Sequence, residues 1–140
     1  MPLKKNYNRL TNRELDILEI LWNSEQPLSA SEIVAAGENE KLTVSTVQTT
    51  VRRLLTQGLI EIADIKYSGT VLCRTYRPTA AAKDKITSHF TDEFERFHTG
   101  ISASALIASF LTLEKDPVKR AEEAQELEKF LDNYRKNEAK

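Results

Sequence analysis

Between Leu10 and Gly58 the apolar residues recur at spacings of three and four, in three runs set apart by caps, proline and glycine. The first run carries Leu15, Leu18, Leu21 and Trp22, widened by Ile17 and Ile20. Thr11-Asn12-Arg13-Glu14 precedes it as a capping box, with a hydroxyl at the N-cap and a carboxylate three residues on. The spacing predicts a helix that stops near Asn23, because Pro27 lies just beyond. A second box, Ser29-Ala30-Ser31-Glu32, opens a short helix with Ile33, Val34 and Ala36 that Gly37 can end. The third run, Thr43 to Gly58, places Val44, Val47, Val51, Leu54 and Leu55 on one stripe. Ser45-Thr46-Val47-Gln48 is a third possible box, and Thr43 competes with it for the N-cap. Gly58 stands where a left-handed helix terminator is expected.

The period then changes. Leu59 to Ala63 and Val71 to Tyr76 are β-prone, and the polar connection between them contains Lys66 and Ser68-Gly69. Three short helices followed by a hairpin is the order of a winged helix, so a mainly α fold is expected, with this domain over residues 1–78. After Pro78 the pattern is helical. Ile86, Phe90, Phe94 and Phe97 advance by three or four, Gly100 interrupts, and Ile101 to Leu113 is short, apolar and rich in small residues. Asp116-Pro117 provides an N-cap with proline at the first helical position. The last helix carries Ala124, Leu127, Phe130, Leu131 and Tyr134. These apolar faces have no large partner domain in the chain. A symmetric homodimer would bury them, which makes residues 79–140 a helical dimerisation domain. Its interface candidates are Phe90, Phe94, Phe97, Ile101, Leu106, Ile107, Phe110, Leu127, Phe130 and Leu131.

Charge does not select a partner: 20 Lys and Arg stand against 21 Asp and Glu in 140 residues, a net charge of −1. Local distribution is more informative. The polar face of the third helix holds Ser45, Thr46, Gln48, Thr49, Arg52 and Arg53, with no carboxylate from Thr43 to Gly58. Gln pairs bidentately with adenine, Arg with guanine or phosphate, and a Thr methyl meets a thymine methyl. Such a face suits the groove of double-stranded DNA; the alternative is an ordinary solvated helix face. Lys66 and Arg74 could reach phosphates from the hairpin, as could the basic arm with Lys4, Lys5, Asn6 and Arg9. Cys73 is the single cysteine and reads as a small buried hydrophobe. His89 and His98 lack metal-ligand spacing with other donors, and no phosphate loop or nucleophile motif appears. No catalytic residue, metal or cofactor is therefore expected. No stretch is apolar and long enough to span a bilayer, so a cytoplasmic location is expected.

Two motif groups carry a family resemblance. One is Leu10-Thr11-Asn12-Arg13-Glu14-Leu15 with Leu18-Glu19-Ile20-Leu21-Trp22. The other is Thr46-Val47-Gln48-Thr49-Thr50-Val51-Arg52-Arg53-Leu54 followed by Gly58-Leu59-Ile60. Together they resemble the penicillinase-repressor family of bacteria, the BlaI, MecI and CopY type. The resemblance implies a dimeric winged-helix repressor that binds an inverted-repeat operator. It places Thr43, Ser45, Thr46, Gln48, Thr49 and Arg53 at DNA-facing positions, with Arg52 on the same helix, and it implies a wing that touches the backbone. Copper-responsive members carry paired cysteines near the C-terminus. This chain has none after Cys73, so that metal sensor is not expected. Antibiotic-responsive members are cut at an Asn-Phe bond; the counterpart is Ser109-Phe110, where the phenylalanine matches and the asparagine does not. A sensor protease is thus one possible partner, and another inducer is the alternative. Outside DNA binding, the competing function class is a winged-helix protein–protein interaction module.

Overall fold

A computed structural model describes residues 9–97 and 99–138. The N-terminal arm with Lys4, Lys5 and Asn6, and His98, lie outside the described residues. The chain divides into two compact units, Met1–Glu93 and Phe94–Lys140.

Local chemistry sets the helix ends of the first unit. Helix α1, Asn12–Asn23, begins with both bonds of the expected box: the Glu14 amide donates to Thr11 Oγ1 at 3.1 Å, and the Thr11 amide donates to Glu14 Oε1 at 3.1 Å. Helix α2, Ala30–Ala36, repeats the arrangement with Ser29 and Glu32. Gly37 follows it. A Cβ there would stand 2.4 Å from Leu42 Cδ1, so any side chain would have to displace that methyl group, while the φ of −94° is open to any residue. One 3-10 turn, Glu38–Glu40, leads to α3, Val44–Thr56. Thr43 wins the N-cap: its Oγ1 accepts the Thr46 amide at 3.1 Å, because Thr43 is the residue with extended backbone. The helix ends in a Schellman motif. Leu59 N–H donates to Leu54 C=O and Gly58 N–H to Leu55 C=O, both at 3.0 Å, and Gly58 has φ +73°.

Strands β1 (Leu28–Ser29), β2 (Ile60–Ser68) and β3 (Val71–Pro78) form an antiparallel sheet in the order β1-β3-β2. The hairpin is longer than the sequence pattern suggests. Asp64 to Ser68, expected as connection, continue β2 in register with β3, and the turn is only Gly69-Thr70, with Gly69 at φ +66°. Polarity hid this extension, since both faces of the outer hairpin meet solvent and no buried side marks a period of two. The register shifts between Ile62 and Asp64, leaving Ala63 as a bulge.

Three helices on a small sheet, with a hairpin projecting from it, make this unit a winged helix. Its core joins Ile17, Leu18 and Leu21 of α1, Ile33 of α2, Val47, Val51 and Leu54 of α3, and Ile60 of β2. Two stripe residues depart from expectation. Val44 is exposed at the start of α3 while Thr50 is buried, its hydroxyl donating to the Thr46 carbonyl at 2.8 Å. Trp22 is exposed at the end of α1. Glu14 is buried as well: its Oε2 accepts the Gln57 amide at 2.6 Å and so clasps the start of α1 to the end of α3.

Helix α4, Ala80–Glu95, joins this core through Ala82, which is fully buried, and through Ile86. His89, one turn on, is buried too. Phe90 and Phe97, expected to face a second copy, are exposed in the single chain, and Phe94 is half-buried. Tertiary packing selects the Ala82–Ile86–His89 face.

In the second unit, α5 (Ala103–Leu111) is capped by Ser102, whose Oγ accepts the Ala105 amide at 3.1 Å. Helix α6, Pro117–Glu138, is capped by Asp116, whose Oδ1 accepts the Val118 amide at 3.0 Å. Neither helix has a buried residue. Leu106 and Leu127 are half-covered, while Ile101, Ile107, Phe110, Phe130, Leu131 and Tyr134 are exposed.

Candidate nucleic-acid interface

Helix α3 presents its polar residues on the face away from the core. Ser45, Gln48, Thr49, Arg52, Arg53 and Thr56 are exposed, opposite buried Val47, Thr50, Val51 and Leu54. At 100° per residue the exposed set spans less than half the helix circumference. Several hydroxyls are committed to the helix itself. Thr43 Oγ1 donates to Thr46 Oγ1 at 2.9 Å while serving as cap, and Thr49 donates to the Ser45 carbonyl at 3.0 Å. Thr49 thereby turns its methyl and remaining lone pair outward. The side chains of Gln48, Arg52 and Arg53 have no hydrogen bond or ion pair to other described residues, so their donors face solvent. Thr56, not singled out from the sequence, shares this surface; a Thr one turn beyond Arg52 on an acid-free face was a readable signal.

A cleft of about 310 Å³ lies between α3 and β3, lined by Ala30, Gln48, Val51, Arg52, Leu55, Arg74 and Tyr76. Two guanidinium-bearing residues and one amide thus share a concave surface with apolar walls. Positive charge there meets no carboxylate among the lining residues, an arrangement that favours a polyanion. Sequence distance hid Ala30 and Tyr76 as parts of this surface; pairing of Leu28 with Tyr76 brings them in.

The two wing candidates separate. Arg74 lines the cleft, whereas Lys66 lies within β2, paired with Cys73, and its Nζ sits 2.6 Å from Glu32 Oε1. The ammonium donating to that carboxylate holds Glu32 below the ordinary carboxylate range, helped by the Ser29 amide. Lys66 thus has an ion partner on α2, whereas Arg74 has none among the described residues. Cross-strand pairs share a face, so Ile65 with Arg74 and Tyr67 with Leu72 form one outer surface. Its three apolar members are all exposed.

Among the described residues no group of His, Cys, Asp and Glu is arranged to hold a metal ion. Cys73 is half-buried, and among the described residues no helix is long and apolar enough to cross a membrane. Ser109 and Phe110 lie in the last turn of α5, where the Ser109 hydroxyl donates to the Ala105 carbonyl at 3.1 Å.

The family model for penicillinase repressors matches residues 10–133, from the start of α1 almost to the end of α6. The chain belongs to the penicillinase repressor family. In this penicillinase repressor family member, the two motif groups fall on α1 and on α3 with its Schellman end. It is a winged-helix transcriptional regulator. No curated protein sequence matches the chain. Among solved structures, a PadR family transcription regulator from Clostridium difficile R20291 is 17% identical, with a TM-score of 0.47, over 64% of this chain and 96% of that one. A MarR family transcription regulator, SP03579, is 20% identical at TM-score 0.47, over 92% and 76% of the two chains. Bacillus subtilis PadR in complex with operator DNA is 18% identical at TM-score 0.47, over 86% and 77%.

Proposed function

We propose that the chain is a homodimeric repressor that binds an inverted-repeat operator and blocks transcription. The observation that carries the reading is the acid-free exposed face of α3 set beside Arg74 in one cleft. On this reading α3 enters the major groove. Gln48 reads a base edge, with Ser45, Thr46 and Thr49 beside it, and Thr43 meets the backbone at the helix start. Arg53 and Arg74 hold phosphates on either side, and Arg52 spans the space between them. The exposed apolar residues of α5 and α6, together with Phe97, supply a surface that a second copy would cover. Two α3 helices would then lie about one DNA turn apart. Such a protein works on chromosomal DNA and so in the cytoplasm, with no enzymatic step of its own.

Release from DNA is proposed through the second unit. Cutting between Ser109 and Phe110 would remove α6 from the dimer surface, after local unwinding of the end of α5.

Binding-site selection from a random duplex pool with the full-length protein tests the reading. Enrichment of an inverted repeat supports it. A folded protein that enriches no sequence overturns it, and the exposed Ile65, Tyr67 and Leu72 of the wing would then favour a protein–protein module.

A further inference from the structure

From the groove between α1 and α4 we infer a binding site for an organic monocation with aromatic faces. The groove lies within the first unit, on a surface other than the α3 face, and encloses about 470 Å³. That is the size range of small-molecule sites. Its floor is Leu18, fully buried, with Leu15 and Ile86 half-covered beside it. Two aromatic residues flank it, Trp22 from the end of α1 and Phe90 from α4, and they are 47% and 56% exposed. Large rings left open to water over an apolar floor cost free energy that a ligand recovers by covering them.

Charge decides the class of ligand. Asp16 and Glu19 line the groove, and none of its described lining residues is Lys, Arg or His. Glu19 is exposed and has no ion pair or hydrogen bond among the described residues. Asp16 has one exposed contact, 3.5 Å from Arg13 Nη1. Aromatic faces attract a cation through their quadrupole, and the two carboxylates repel an anion. Asn12 and Asn23 at the two ends offer hydrogen bonds without charge. A second copy of the chain would cover the rings equally well, but it would leave the Glu19 carboxylate unmatched unless it brought a cation to it.

Trp22 is the one tryptophan of the chain, so its fluorescence reports this groove alone. The test titrates full-length protein with tetraphenylphosphonium, and in parallel with triphenylphosphine oxide as the uncharged comparison. Saturable quenching by the cation, with a response to the neutral compound at least about fivefold weaker, is expected. Glu19→Gln, a change at an exposed position, should weaken the cation by about threefold or more, and Phe90→Leu by a similar factor. Three results would overturn the inference. One is no saturable change up to the solubility limit. Another is equal binding of the neutral compound, or cation binding indifferent to Glu19→Gln. The third is blue-shifted Trp22 emission that is shielded from acrylamide and turns red on dilution, which would assign the groove to a second copy.

Discussion

At the residue scale, two positions separate structural from recognition roles on α3. Gly58 has φ +73° with open space around its Cβ position, so only backbone strain opposes a side chain there. Gly58→Ala should cost about 1 kcal/mol, read as a lower urea midpoint with an unchanged m-value. Gln48 is exposed on α3, lines the cleft beside Arg52 and Arg74, and is no member of the buried core. Gln48→Ala should therefore leave stability and association unchanged. It should relax base preference by about 1–3 kcal/mol at one position of each half-site. Unaltered preference in a selection experiment would remove Gln48 as a reader. Arg53→Ala should behave differently, weakening all sequences alike and flattening the salt dependence.

At the scale of elements, two carboxylates that look like surface charges in the sequence hold pieces together. Glu14 closes the α1 capping box and accepts from Gln57 at the far end of α3. Glu14→Ala loses both, and a destabilisation of about 1–3 kcal/mol is expected in chemical denaturation. Gln57→Ala should show only part of that loss, because the cap survives it. Glu32 caps α2 and binds Lys66 of the wing. Its folded-state pKa lies below its unfolded value. The tether's contribution is therefore full above the ordinary carboxylate range and is lost as pH falls through the lower, folded value. Protection factors in β2 and β3, with the slower intrinsic exchange in acid divided out, should fall at acid pH in the native protein. In Glu32→Gln they should be low already at neutral pH. Equal wing protection in both proteins across that pH range would refute the tether.

At the scale of the whole molecule, the two units differ in how they are stabilised. The winged helix has its own core, whereas α5 and α6 bury no residue within the chain. Ile107, Phe110, Phe130 and Tyr134 are exposed there, and the proposed dimer would cover them. Phe110→Glu combined with Phe130→Glu should shift the full-length protein to monomer in sedimentation, with the unfolding of the winged helix little changed. A double variant that remains dimeric would place the association surface elsewhere.

Much of this protein was determined within single turns of its sequence. Thr11 with Glu14, Ser29 with Glu32, Asp116 with Pro117, and Gly58 fix helix ends through groups at most five residues apart. Those bonds form wherever the chain folds locally, so the capping pattern and the element order were legible. Three features required the tertiary structure. Beside Gly58 the α3 stripe was correct in its middle and wrong at Val44, because the first turn of a helix need not touch the core. The hairpin was read too short, since a wing wet on both faces has no burial period. Arg74 and Lys66 looked alike as wing cations; pairing register and Glu32, 34 residues before Lys66 in the numbering, separated them. Contacts of that range carry no local signature, because their partners are chosen by how the whole core closes.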